Sequence, residues 1–354
     1  MNIWFGQKHI SFAEILAGKW GEVDDYQRQI LDFCQQWLGG QRVFVRHTSG
    51  STGKPKPIEL RREQMRASAM LTGQALGLQR GMAALIGMDC NYIAGTMMLV
   101  RGLEIGLEMH VVAPTRNPLL AIDDVGQIDW ATCFSALVPL QVQAVLDDVV
   151  SAERFGRLHC VLIGGAAIGQ GLLERLISAE TPTLYHTYGM TETVSHIALR
   201  QLNGEAASER FIPLAGVELA LDGRGCLTIR GPMTLGKLVV TNDLVELASD
   251  GSFVWLGRID NVINSGGVKV NAEKVAAALS KVLGNDRVFV VGLPDAEWGE
   301  AVTGFVEGEP MQLPTLAGLS RYEKPKQIHF VAQFSLTSSG KVDRGATVRG
   351  VLDG

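Results

Sequence analysis

An α/β fold is expected for this 354-residue chain, and three features of its sequence predict it. Short apolar runs, RVFV (42–45), EMHVVA (108–113) and LHCVLIGG (158–165), end in turn residues and alternate with helix-length stretches at Arg61–Leu78 and Gln170–Ala179. That alternation is how a parallel sheet with crossover helices reads in sequence. From about Phe211 the texture changes: VELALDGRGCLTIRG and LVELASDGSFVWLGR each set Asp-Gly between strand-like runs, which predicts antiparallel hairpins. After Asp260, NVINSGGVKVNAEKVAAALSKVLG places Val275, Leu279 and Val282 at i, i+4 and i+7 behind an Asn271 cap, and the rest reads as a small α+β unit. The expected organisation is a large N-terminal domain of layered α/β sheets with a small antiparallel β portion, residues 1–258, then a small α+β domain, residues 259–354.

Composition narrows the function classes. With 46% hydrophobic and 19% charged residues the chain is an ordinary globular protein, and a net charge of −5 gives no broad electrostatic footprint for nucleic acid or an anionic membrane surface. An anionic ligand must therefore be held by local groups. Cys34, Cys90, Cys133, Cys160 and Cys226 are widely spaced with no C-x-x-C pair, which points away from zinc or redox work and toward a reduced, cytoplasmic setting. The opening MNIWFGQKHISFAEIL lacks the basic and apolar regions of a secretory signal. The most apolar region, Tyr92–Ala113, is cut by Arg101, Glu104 and Glu108, short of the ~20 residues a membrane span requires. Oligomeric state, a homodimer included, is left open.

The strand RVFVRH runs into a loop in which Thr48, Ser49, Gly50, Ser51, Thr52, Gly53 and Lys54 combine hydroxyls, glycines and a cation. Glycines let a backbone approach an anion and present its N–H groups, and hydroxyls and Lys54 add donors that can move. A Walker-type loop does not fit: Thr48 stands where its first glycine belongs, and Pro55 follows Lys54 where a magnesium-binding hydroxyl belongs. Phosphate cradle and plain surface loop remain equal readings of these residues alone.

TSGSTGKPK (48–56), YGMTET (188–193), TNDL (241–244), GRIDNVINSGGVKV (257–270) and TSSGKVDR (337–344) occur in one fixed order. This series resembles the signature motifs of the adenylate-forming superfamily of acyl-CoA synthetases, peptide-synthetase adenylation domains and luciferases. The resemblance spans Thr48 to Arg344. It implies the adenylate-forming fold with a mobile C-terminal domain, shortened at the N-terminus, since members usually carry roughly a hundred more residues before the first motif. Within the superfamily, YGMTETVSHIALR (188–200) is similar to the ligases that join o-succinylbenzoate to CoA in menaquinone biosynthesis.

The resemblance implies ATP and CoA as co-substrates, Mg2+ as cofactor, and two steps: adenylation of a carboxylate, then thioester formation. It places the Thr48–Lys54 loop on the β- and γ-phosphates, Tyr188 and Gly189 against adenine, Thr191 near the α-phosphate and Glu192 on magnesium. Gly165 and Ala166 lie where backbone meets adenine and acyl group, and Asp243 and Arg258 meet the ribose hydroxyls. Lys341 is the cation that reaches the α-phosphate and attacking carboxylate, Asp260 the hinge, and Gly267 and Lys269 belong to the thioester step. Taken singly, most of these residues read as helix caps, turn residues or solvated charges. Leu336, Ala272 and Lys274 depart from the family pattern, which commonly has Pro, Pro and Glu there.

Arg101 sits in the apolar segment NYIAGTMMLVRGL, where a buried charge is costly unless an anion pairs with it. It is the candidate for the second carboxylate of the acid, with an arginine snorkelling from the helix end as the equal alternative. Thr193, Ser195 and His196 follow the magnesium glutamate and are expected at the same acyl site. Three function classes compete: an acyl-CoA ligase for this or another aromatic or fatty acid, an adenylating enzyme serving a carrier protein, and a nucleotide-binding module without chemistry.

Overall fold

The computed structural model describes residues 1–47, 57–122, 128–178, 181–311, 316, 318–337 and 342–353. β1 (Asn2–Phe5) and β2 (Lys8–Ser11) form an antiparallel hairpin, followed by α1 (Phe12–Leu16) and α2 (Asp25–Leu38). Ser11 and Asp24 start these helices with reciprocal side-chain and backbone hydrogen bonds. β3 (Val43–His47) and β4 (Pro57–Arg61) pair as a separate antiparallel ribbon, and α3 (Arg62–Leu76) stops at Gly77, left-handed at φ 64°.

Next come β5 (Ala83–Ile86), α4 (Ile93–Arg101), β6 (Glu108–Val111), β7 (Phe134–Leu137), α5 (Pro139–Leu146), α6 (Val149–Gly156), β8 (Cys160–Ile163), α7 (Gln170–Ser178), β9 (Thr183–Gly189), β10 (His196–Gln201) and β11 (Ile212–Pro213). They build a nine-stranded sheet ordered β11-β10-β9-β8-β7-β5-β6-β1-β2. β9, β8, β7, β5, β6 and β1 run parallel, as the alternation of short apolar runs and helices predicts. β5, β7 and β8 are buried at every residue, because helices cover both faces. β10 is antiparallel to both of its neighbours, β9 and β11, a reversal the apolar runs do not encode.

The predicted hairpins follow: β12 (Glu218–Leu221), β13 (Cys226–Arg230), β14 (Val239–Leu247) and β15 (Phe253–Arg258), an antiparallel sheet in chain order. Asp222 and Asp250 close its turns, each accepting from the backbone two residues on, at 2.8 and 2.9 Å. Val245 and Phe253 pack in the same hydrophobic cluster as Ile197 and Leu199 of the large sheet, so this portion shares the main core.

Beyond Asp260 lie β16 (Val262–Ser265), β17 (Val268–Asn271), α8 (Ala272–Leu283), β18 (Val288–Asp295), β19 (Gly299–Glu307), β20 (Gln327–Val331) and α9 (Arg344–Leu352). The Asn271 side chain accepts from Lys274 N–H at 2.9 Å, so the cap expected for α8 is present, with Val275 and Leu279 fully buried and Val282 half-buried. These elements bury their own clusters, around Ile263, Val275, Leu279 and Val302 and around Phe289, Phe305 and Phe334.

Polar contacts tie this portion to the rest. Asn271 Nδ2 donates to the Leu256 carbonyl at 2.7 Å. The Asp286 carboxylate accepts from the backbone N–H groups of Gly171 and Leu172 at 3.3 and 3.2 Å, at the start of α7, and from the Ser280 hydroxyl at 2.8 Å. A Cβ at Gly169 would lie 2.0 Å from that carboxyl carbon, so the approach needs glycine. All five cysteines are buried free thiols, and among the described residues no helix is long and apolar enough to cross a membrane.

Candidate active site

In a parallel sheet ligands meet the carboxyl ends of strands, and two adjacent ends carry motif residues here. β8 and β9 pair through Ile163 and His186, which brings the Gly164–Ala166 turn beside Thr187 and Tyr188. A side chain on Gly164 would strike Thr187 Oγ1 at 2.2 Å, while Gly165 (φ 82°) and Ala166 are exposed. His186 hydrogen-bonds the Ala166 backbone beneath this turn; burial, with Arg200 nearby, lowers its pKa to about 4, so the ring is neutral. Gly189 ends β9 opposite His196, where a Cβ would stand 2.3 Å from the Ser195 carbonyl oxygen. Only glycine lets the two strands close at that point.

The antiparallel sheet brings a second set of residues to Tyr188. Asp243 is 7% exposed; its carboxylate accepts from the Tyr188 hydroxyl at 2.7 Å and from Trp255 Nε1 at 3.1 Å. Burial, then the Asp243 charge, pushes the Tyr188 phenol upward, so it stays a donor. The Tyr188 ring packs against Phe253 edge-on at 5.0 Å and against Phe211 at 5.8 Å. Arg258 lies across the ladder from Asp243, but its guanidinium donates to Asp260 at 2.7 Å, and Asn242 donates to both Asp260 oxygens at 3.1 Å. The Arg258 hydrogen bond, ahead of burial, sets the balance that holds the Asp260 carboxyl below the usual carboxylate range. Asp243 and Arg258 therefore share one edge, with Asp260 tied to it.

Between β9 and β10 the chain makes a tight loop. The Thr193 hydroxyl is buried between the carbonyls of Met190 and Ser195, at 3.0 and 2.9 Å, and accepts from Met190 N–H at 3.1 Å. It fixes backbone, and it offers no free hydroxyl to an acyl group. Val194 adopts φ 68° and ψ −52° with Ser195 N–H donating to Thr193 O at 2.8 Å, a γ-turn strained for a β-branched residue by on the order of 1–3 kcal/mol. The turn delivers Ser195 to Arg101, whose NH2 donates to Ser195 Oγ at 2.9 Å. Arg101 is 2% exposed, its NH1 meets only the Met98 sulfur at 3.8 Å, and its Nε has no partner. No carboxylate pairs with it among the described residues, and burial lowers its pKa to about 10. The snorkelling alternative is overturned: the guanidinium is inside.

His196 is buried, with Nε2 3.1 Å from Thr72 Oγ1 and Nδ1 3.5 Å from Ser195 Oγ. Burial, then Arg101, depresses its pKa well below the ordinary value, and burial lowers His110 on β6 to about 4. These three neutral histidines set an acid limit on folding. A histidine whose folded pKa lies below its unfolded 6.5 binds protons more readily when unfolded, so stability falls as pH drops from about 6.5 toward 4 and is insensitive to them above. The urea midpoint is expected to be lower at pH 5 than at pH 7.5; equal midpoints contradict buried neutral rings.

Two groups thus emerge: Gly165, Ala166, Tyr188, Gly189, Asp243 and Arg258 around adjacent strand ends, and Arg101, Ser195 and His196 behind the loop that carries Thr191 and Glu192. Glu192 is exposed and has no partner among the described residues, and no cluster of three metal-ligating side chains occurs among them. One carboxylate suits a hard dication that keeps its waters and leans on phosphates. Gly267 (φ 79°) and Lys269 lie exposed on the β16–β17 hairpin, and no hydrogen bond or ion pair joins them to either group among the described residues. Thr48, Ser49, Gly50, Ser51, Thr52, Gly53, Lys54 and Lys341 lie outside the described residues. Trp255, His186, Thr72 and Ser68 escaped sequence reasoning. Ser68 and Thr72 had a signal: they occupy the apolar face of α3 with Met65, Ala69 and Leu76, where hydroxyls need a reason.

The family description "AMP-binding enzyme" matches residues 24–244. A 2-succinylbenzoate–CoA ligase of Listeria monocytogenes serotype 4b is 27% identical over 349 residues, covering 90% of this chain and 72% of that protein. A 4-chlorobenzoate–CoA ligase of Arthrobacter is 27% identical over 344 residues, 85% of this chain and 65% of that one. The crystal structure of an acyl-CoA synthetase (AMP-forming)/AMP-acid ligase II-like protein from Dyadobacter fermentans is 41% identical with a TM-score of 0.65, covering 95% of this chain and 97% of that chain. Ordered motifs, strand-end geometry and a match over most of the chain agree, and the chain belongs to the AMP-binding enzyme family, among its AMP-forming acyl-CoA ligases.

Proposed function

We propose that this ligase activates o-succinylbenzoate, an aromatic keto acid with two carboxylates, and that the observation carrying this choice is the buried, unpaired Arg101. A cation kept dry without a counter-ion is a standing cost that an anionic substrate group offsets. The reacting carboxylate goes to ATP and the other to Arg101, with Ser195 and His196 beside it. An acid with one carboxylate leaves the guanidinium unpaired.

In the first step a carboxylate oxygen bonds to the α-phosphorus and the bond to pyrophosphate breaks. In the second the CoA sulfur, having lost its proton, bonds to the acyl carbon and AMP leaves. Two anions meet in the first step, so aligned donors account for much of the rate. Tyr188, Gly189, Gly165 and Ala166 flank adenine, Asp243 accepts from ribose with Arg258 beside it, and Thr191 donates to the α-phosphate. The Thr48–Lys54 loop holds the departing phosphates, and Lys341 reaches the α-phosphate. Glu192 would hold Mg2+, which supplies charge neutralisation on the phosphates. Residues 259–354 act as the mobile domain, with Asp260 as hinge and Gly267 and Lys269 turned to the thioester step. The five free thiols support a cytoplasmic enzyme.

Pyrophosphate release with a panel of acids, each with and without CoA, tests the reading. The highest kcat/KM is expected for o-succinylbenzoate, with acyl-CoA formed only when CoA is present. A preference for 4-chlorobenzoate or another aromatic monocarboxylate selects the second reading, which the Arthrobacter relative favours. Release by fatty acids alone refutes both.

A further inference from the structure

We propose that Thr72 of α3 is a positioning residue for acid recognition, orienting Arg101 through a one-way chain of hydrogen bonds that runs by His196 and Ser195. The proposal rests on the reading of Arg101 as the carboxylate partner.

Thr72, His196 and Arg101 are buried and Ser195 half-buried, and the direction of the chain follows from its far end. The Thr72 hydroxyl donates to the Ser68 carbonyl one helical turn earlier, at 3.0 Å, so toward His196 it can only accept. The contact at 3.1 Å then requires the imidazole proton on Nε2. Nδ1 is left bare and takes the Ser195 proton across a long 3.5 Å contact. Ser195 then turns its lone pairs to Arg101, which donates at 2.9 Å. With Thr72 0%, Arg101 2% and His196 5% exposed, water does not substitute for these three, while Ser195 is half-buried. The ring is uncharged, so Arg101 is the lone charge of the group.

Without the Thr72 acceptor the ring is free to carry its proton on Nδ1. Ser195 would then face two donors, His196 and Arg101, and aim its own proton at the acid. The guanidinium would share the lone pairs of Ser195 with the imidazole N–H, which weakens the contact that turns its free edge to the substrate. The alternative, that Thr72 merely staples α3 to β10, predicts a loss of stability and no loss of acid recognition.

The experiment measures KM for o-succinylbenzoate and for ATP by pyrophosphate release in Thr72→Val, Thr72→Ser, Ser195→Ala and Arg101→Gln, with the imidazole tautomer read by 15N NMR. Thr72→Val keeps the shape and is expected to raise the acid KM about 5- to 10-fold while the ATP KM stays within about twofold. Thr72→Ser should restore the acid KM and the Nε2–H signal. Ser195→Ala removes the next link, the hydroxyl that accepts from Arg101, by a smaller change and should repeat the acid-specific rise, which keeps the test decisive if Thr72→Val does not fold. A normal acid KM in folded Thr72→Val or Ser195→Ala, or a rise that Thr72→Ser does not rescue, overturns the proposal. If Arg101→Gln itself leaves the acid KM unchanged, the substrate reading fails; if it raises the KM while Thr72→Val does not, only the relay fails.

Discussion

Replacing Arg101 with methionine is expected to raise the melting temperature by a few degrees while lifting the acid KM about 100-fold and leaving the ATP KM nearly unchanged. The two effects have one cause. The guanidinium is 2% exposed and reaches one hydroxyl and one sulfur, with Nε unsatisfied. Its folded pKa, near 10, is below that of an ordinary guanidinium, so below about pH 10 charging it opposes folding, and that cost is fully present at neutral pH. A thioether of similar length fills the space without the charge, for a gain on the order of 1–3 kcal/mol. The acid loses a charge-assisted partner worth about 3 kcal/mol. Calorimetry and steady-state kinetics on one preparation check both signs. A lower melting temperature with an unchanged acid KM would make Arg101 a packing residue.

Asp243→Ala is expected to raise the ATP KM by at least ~100-fold and to destabilise the protein by on the order of 3–5 kcal/mol. The carboxylate is buried and satisfies two donors from different sheets, Tyr188 of β9 and Trp255 of β15. Its loss leaves both without an acceptor and frees the Tyr188 ring from the geometry that its contacts with Phe253 and Phe211 require. Asp243→Asn keeps one acceptor oxygen and should lose less on both measures, about 10-fold in ATP KM. Isothermal titration with ATP alone separates binding from turnover. Unchanged ATP affinity in a folded Asp243→Ala would remove this edge from the nucleotide site.

How much of this was legible follows the distance over which each feature is written. The Asp-Gly turns of β12–β13 and β14–β15 and the Asn271 cap of α8 are local chemistry, and they appear where the residues put them. The motif order Thr48 to Arg344 reveals a family because the spacing of chemistry along the chain is itself a signature. What could not be read is who meets whom. Tyr188 and Asp243 are 55 residues apart, and Thr72 and His196 are 124 apart; no periodicity in either segment names the partner. Thr193, a candidate acyl contact by position, is instead a backbone clamp, because a one-residue γ-turn at Val194 decides which way its hydroxyl faces.

One contact reaches further than its size. The Asp286 carboxylate begins α7 from 115 residues away while also holding Ser280 of α8. Any rigid departure of residues 259–354 strips two amides of α7 of their acceptor in a single event, while the Ser280–Asp286 bond travels with it. The proposed swing of residues 259–354 would therefore have to begin by breaking those two α7 contacts together.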